Sequence, residues 1–83
     1  MYKVLISKNA EKELGKIPDP YYSNIKSTIR ELSKAPRPIG CKKLRNRDAY
    51  RVRVANYRII YEITDTSLLI HVINIGHRKD IYK

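Results

Sequence analysis

A single cysteine, Cys41, stands in the 83 residues, so no disulfide can form within the chain, and a lone thiol fits a reducing compartment. No second cysteine lies near enough to suggest a zinc site, and Cys41 reads as a loop or core thiol. Long apolar runs are missing as well. No stretch approaches the roughly 20 residues that a membrane span needs, and no leader pattern opens the chain. The expectation is a cytoplasmic protein with no membrane contact, no cofactor and no small-molecule ligand. Repeats, linkers and low-complexity segments are absent, and 83 residues leave room for one core, so residues 1–83 read as a single domain.

Acid is the other scarcity. Eighteen Lys and Arg face eight Asp and Glu, a formal net charge of +10. The excess is localised. Residues 1–35 carry seven basic and four acidic side chains, and residues 59–83 carry three of each. Residues 36–58 hold eight basic side chains and only Asp48, a net of +7. A basic stretch is often only a solvated face, but one this concentrated suits a polyanionic partner.

What fills that stretch has a definite pattern. From Tyr50 to Val54 apolar and cationic residues alternate, Ala55-Asn56 interrupt, and a β-branched and aromatic run continues to Ile63. This predicts two strands joined by a tight hairpin. With Ala55-Asn56 as a two-residue loop, Val54 faces Tyr57, Arg53 faces Arg58, Val52 faces Ile59, Arg51 faces Ile60, and Tyr50 faces Tyr61. Paired residues share a face. Tyr50, Val52, Val54, Tyr57, Ile59, Tyr61 and Ile63 then form a core face, while Arg51, Arg53 and Arg58 gather on the other. Guanidiniums crowded in this way repel one another, and an anion relieves the repulsion. Ala55 is the weak point, because such turns favour Gly, Asn or Asp.

Taken in order, residues 2–6 read as a strand with Tyr2, Val4 and Ile6 on one face. Ser7 caps a helix carrying Ala10, Leu14 and Ile17, which Pro18 ends. Asp19-Pro20 starts a second helix, with Tyr22, Ile25, Ile29 and Leu32 as its apolar stripe. Residues 35–40 form a stiff connection, residues 42–45 a short edge strand, and residues 46–48 a turn. After the hairpin, residues 64–67 turn and residues 68–75 make the last strand. Leu68 is expected opposite Ile63, with Leu68, Ile70 and Val72 in the core and His71 on the other face opposite Ile60. The layout is an α+β two-layer domain, an N-terminal strand and helical hairpin packed on one face of an antiparallel sheet.

Leu44, Tyr50-Arg51-Val52-Arg53, Asn56-Tyr57-Arg58-Ile59-Ile60-Tyr61-Glu62, Ile75-Gly76-His77-Arg78 and Ile81-Tyr82, in this order, resemble the RelE family of prokaryotic toxins. The likeness extends over the whole chain. It implies a ribonuclease that enters the ribosomal A site, cleaves mRNA there, and is held inactive by a RelB-like antitoxin wrapped around it. It places Arg51 and Arg53 near the scissile phosphate and Arg58 and Arg78 at arginines that stabilise charge developing on it. Tyr82 falls at a C-terminal tyrosine that stacks on or orients the RNA. Lys42, Lys43, Arg45, Arg47, His77 and Lys79 are the remaining candidate RNA contacts.

The chemistry agrees with this placement. Attack by the RNA's own 2′-OH needs proton removal, in-line geometry and compensation of added charge at phosphorus. Guanidiniums match phosphate oxygens in pairs and stay charged. No metal-ligand spacing appears, so the cleavage implied is metal-independent. Some relatives carry lysines where this chain has Arg51 and Arg53, and one of those is proposed as general base. Arginine is a poor base, so Tyr82, His77, a ribosomal group or no dedicated base stay open. His71 reads as an ordinary half-buried ring and Glu62 as an ion-pairing or positioning residue. Two alternatives remain: a ParE-like inhibitor that binds DNA gyrase, since ParE toxins share the fold, and a basic RNA-binding module without cleavage. The arginine trio and the Tyr82 ending favour the RelE reading. A chain this basic also calls for an acidic antitoxin, extended or helical, on the sheet edges and basic face.

Overall fold

Ser7 sets the first turn of the chain. Its Oγ accepts the Ala10 N–H at 3.0 Å and so caps the helix Lys8–Leu14 (α1), directly after the strand Lys3–Ile6 (β1). The computed structural model describes residues 1–45 and 48–77. Helix α2 spans Tyr21–Lys34. Its cap lies one residue earlier than Pro20, because the Asp19 carboxylate accepts from the Ser23 N–H at 3.0 Å and the Ser23 hydroxyl at 2.6 Å. Strands β2 (Lys42–Lys43), β3 (Tyr50–Val54), β4 (Tyr57–Thr64) and β5 (Leu69–His77) follow. The connection into β2 turns at Gly40, whose φ of 95° is left-handed and suits a residue without Cβ.

The sheet runs β1-β5-β4-β3-β2. Both helices cover one face, α1 against β5 and α2 against β3 and β1. The α+β two-layer class therefore stands as expected, with one refinement. β1 lies parallel to β5, pairing Lys3 with Leu69 and Ile6 with Val72, so the sheet is mixed. The core joins Ala10, Leu14, Ile25, Ile29 and Leu32 to Val52, Ile59, Tyr61, Ile70, Val72 and Ile75. Ile25, Ile59, Ile70 and Ile75 are completely buried, each worth about 1.5–3 kcal/mol of transfer free energy.

Several local expectations need correction. The expected edge strand over residues 42–45 closes after Lys43, where the chain turns and the Leu44 N–H donates back to the Ala49 carbonyl at 2.8 Å. In α2 it is Tyr21, one residue before Tyr22, that reaches the sheet, its ring 5.6 Å from that of Tyr57. The β4–β5 loop sits one residue later than expected on both strands, with Thr64 facing Leu69. Leu68 is thereby left in the loop at a φ of 49° and 49% exposed rather than in the core. Moving both strand ends by one residue preserves parity. Ile70 and Val72 keep their core face, but His71 lies opposite Glu62, not Ile60. A bulge then adds one residue to β5: Tyr61 faces Val72 while Ile60 faces Asn74, so Ile75 returns to the core.

Candidate functional site

The hairpin β3–β4 has the expected register at all five pairs, Tyr50↔Tyr61, Arg51↔Ile60, Val52↔Ile59, Arg53↔Arg58 and Val54↔Tyr57. Its loop is two residues long. Ala55 has a φ of 55° and Asn56 stays at negative φ, the sign pattern of a type II′ turn that matches strand twist. Tyr50, Val54 and Tyr57 pack with the core, so alternation turns Arg51, Arg53 and Arg58 to the face the helices leave open.

The three guanidinium residues differ sharply in burial. Arg53 is exposed, Arg51 is half-buried, and Arg58 is 1% exposed. Arg53 and Arg58 are cross-strand partners, and Lys42 faces Arg51 in the neighbouring pair of strands. Two like-charge pairs therefore stand side by side, each with Cα atoms about 4.5–5.5 Å apart. The sequence named Lys42 as a candidate RNA contact, and its register beside Arg51 adds it to the face. Arg53 and Arg58 also line a small pocket with Ala55, Asn56 and Tyr57 at the hairpin tip. Such an arrangement suits one anionic group held by several donors.

The other candidates separate into groups. Lys43 faces Tyr50 and lies 3.6 Å from Asp48, and Arg45 is exposed in the turn that follows β2. His77 faces Tyr57, with the rings edge-on at 5.6 Å and 84°. Pairing with Tyr57 puts His77 on the helix side of the sheet, away from the arginines. Arg47, Arg78, Lys79 and Tyr82 lie outside the described residues. Glu62 and His71 share the arginine face, His71 Nδ1 standing 3.9 Å from Glu62 Oε1. Among the described residues no group of three or more His, Cys, Asp or Glu is placed to hold a metal ion, and no helix is long and apolar enough to cross a membrane.

Arg37, from the basic stretch, does something the sequence did not signal. Its guanidinium donates to both Asp65 oxygens, at 3.4 and 3.0 Å, and its Nε donates to the Tyr50 hydroxyl at 3.3 Å. Tyr2 donates its hydroxyl to Asp65 at 2.7 Å. Hydrogen bonds from Arg37, then Tyr2, hold the Asp65 carboxyl below its ordinary range, and the same carboxylate raises the Tyr2 hydroxyl. This clasp ties the α2–β2 connection to β3, the β4–β5 loop and the start of β1. Deeper in, Tyr61 stacks on Tyr50 with centroids 6.0 Å apart and donates to the Pro36 carbonyl at 2.7 Å. Burial, followed by the nearby Cys41, pushes the Tyr61 hydroxyl well up.

Comparison with known proteins gives this fold a lineage. Residues 4–82 match the family model described as ParE toxin of type II toxin-antitoxin system, parDE. Toxin RelG of Mycobacterium tuberculosis (strain ATCC 25618 / H37Rv) is 29% identical over 85 residues, covering 99% of this chain and 97% of the relative. The archaeal RelE–RelB complex from Pyrococcus horikoshii OT3 superposes with a TM-score of 0.84 at 28% identity, over 93% of this chain and 94% of that one. RelE in the intact E. coli RelBE toxin-antitoxin complex gives 0.81 at 26% identity, over 93% and 96%. With nearly its whole length inside that family model, and with relatives that match end to end, the chain belongs to the ParE toxin family, within the RelE/ParE superfamily of toxins of type II toxin–antitoxin systems.

Proposed function

We propose that this toxin is a metal-independent endoribonuclease that acts on mRNA in the ribosomal A site and thereby inhibits translation. The observation that carries the reading is the joint placement of Arg51, Arg53 and Arg58 on one sheet face, Arg58 being 1% exposed. The 2′-oxygen attacks the adjacent phosphorus and the 5′-oxygen leaves, giving a 2′,3′-cyclic phosphate. Exposed Arg53 and half-buried Arg51 grip the backbone, and buried Arg58 sets positive charge beneath the phosphoryl oxygens. Charge fixed before reaction stabilises the transition state without reorganising. Arg78 and Tyr82 join them in the proposal on sequence resemblance alone, Arg78 as a second charge stabiliser and Tyr82 as a stacking residue. His77, packed on Tyr57 behind the sheet, is not assigned as a base, and Lys42 and Arg45 are assigned to RNA contact.

We infer also that an acidic antitoxin of RelB type masks the protein. The net charge of +10 supports this, as do relatives solved as complexes with RelB. Association should be fast and should slow as salt rises. A second reading is gyrase inhibition, which the ParE description of the matching family favours. Inducing the gene and mapping RNA ends with and without active ribosomes separates the two. New mRNA ends that need ribosomes support the proposal. Relaxed plasmid DNA with intact mRNA would replace it by gyrase inhibition.

A further inference from the structure

The two edges of the sheet are not alike. β2 is two residues long and both are lysines, the short, charged kind of edge that resists pairing with another chain. β1 forms the other edge over four residues, with Val4, Leu5 and Ile6 in a row and neither proline nor bulge in its register with β5. Its backbone groups alternate in direction. The Lys3 and Ser7 N–H groups donate inward to the Leu68 and Val72 carbonyls, at 2.8 and 2.9 Å. The Tyr2 N–H turns the other way and donates to the Ser33 carbonyl near the end of α2, at 2.7 Å. Val4 and Ile6 share the parity of Tyr2, so their N–H and C=O groups point out of the sheet. Beside them runs an open groove between β1 and α2, floored by Val4, Ile6 and Ile29 and rimmed by Lys26 and Arg30. Both cations are exposed, and neither is ion-paired among the described residues.

We propose that this edge anchors the acidic partner, an extended segment of the antitoxin pairing with Val4 and Ile6 as one more strand; this rests on the antitoxin reading above and narrows it to one surface. Strand addition takes its affinity from main-chain hydrogen bonds and its specificity from pockets for alternate side chains. On the helix side those side chains meet the apolar floor and, at its rim, Lys26 and Arg30. The segment that fits therefore carries apolar residues at alternate positions, flanked by Asp or Glu. On the other side it meets Leu5, which is 45% exposed. A second copy of this chain, itself at +10, does not offer the complementary charge. The place of the edge in the sheet has a consequence. β3, which bears Arg51 and Arg53, lies three strands away, about 14 Å at the usual strand spacing. Anchoring at β1 and masking of the arginines are separate contacts, and a segment held at β1 alone leaves the toxin active.

The test is amide hydrogen exchange, followed by NMR, on the toxin alone and in complex with the acidic protein that co-purifies with it from its native host. The Val4 and Ile6 amides are expected to exchange quickly in the free toxin and to become protected in the complex, with the Lys3 amide, already bonded to the β5 side, as reference. Val4→Pro removes an outward N–H that the fold does not use, a change that an edge strand tolerates. It leaves a partner carbonyl unmatched, which should weaken the complex about 5- to 150-fold while cleavage by the free toxin stays at the wild-type level. K26E/R30E should weaken the complex and flatten its salt dependence. A complex in which Val4 and Ile6 exchange as fast as in the free toxin overturns the anchor and leaves the antitoxin reading standing; so does wild-type affinity in Val4→Pro. Should Val4→Pro fail to fold, exchange in the wild-type complex still decides. If no acidic protein co-purifies, the antitoxin reading fails, and the anchor with it.

Discussion

Replacing Arg58 is expected to damage the chemical step, whereas replacing its cross-strand partner Arg53 is expected to damage binding. The two arginines face each other in one pair, yet one is 1% exposed and the other is open to solvent. A donor fixed in place and aimed at developing charge is worth about 10²–10³ in rate, or about 2.7–4 kcal/mol. An exposed contact to a single-stranded phosphate contributes mainly through counterion release, about 0.7 in the slope of log K against log salt. Arg58→Ala should therefore slow single-turnover cleavage on programmed ribosomes about 10²–10³-fold at saturation while ribosome affinity changes little. Arg53→Ala should lower affinity and flatten the salt dependence, with a much smaller loss at saturation. Arg58→Lys should recover part of the rate, since an ammonium replaces the charge but not the planar pair of donors. Thermal unfolding of the same samples guards against a loss that is merely structural, because a buried Arg also fills space. A saturated rate for Arg58→Ala within about threefold of wild type, far short of the fixed-donor range, would refute the reasoning.

Two further expectations concern stability. Ala55 sits at a φ of 55°, which costs an L-residue about 1–2 kcal/mol, while glycine brings back about 0.5–1 kcal/mol of chain entropy. Ala55→Gly should thus stabilise the protein by about 0.5–1 kcal/mol in denaturant unfolding, and a loss of stability would contradict the turn assignment. Asp65, held below its ordinary range by Arg37 and then Tyr2, contributes stability that is present above its unfolded value near pH ~4 and lost as pH falls through its lower folded value. Asp65→Asn should melt lower than wild type at pH 7 and converge with it below pH ~4; a gap that persists in acid would remove the clasp as its cause.

The parts of the fold legible in the sequence were those fixed by alternation. Tyr50, Val52 and Val54 against Ile59, Tyr61 and Ile63 left one parity for the core, and the five hairpin pairs followed from it. Long-range choices were less visible. A strand with one apolar face, as in residues 2–6, does not disclose its neighbour or its direction, so the parallel pairing of β1 with β5 emerged only in three dimensions. The bulge had left a trace: the core positions Ile70, Val72 and Ile75 change parity, with Ile73 and Asn74 between them. The loop shift that exposes Leu68 had none, because a left-handed leucine runs against the preference of its residue type. At the candidate site the sequence placed the three arginines together but gave no sign that Arg58 is buried. Nor did it show that Arg37, one more cation in the same run, is held by Asp65.

The central claim is that fixed arginine charge on this face cleaves RNA on the ribosome. The most direct measurement incubates purified toxin with a defined mRNA, either naked or positioned on ribosomes with an empty A site, and identifies the product ends. The account predicts rapid cutting only on the ribosome, ends carrying 2′,3′-cyclic phosphate, and no requirement for divalent metal beyond what the ribosome needs. Loss of the chemical step in His77→Ala, with ribosome binding intact, would contradict the fixed-charge account. Intact mRNA on the ribosome, under conditions where the same preparation blocks gyrase, would contradict the ribonuclease reading altogether.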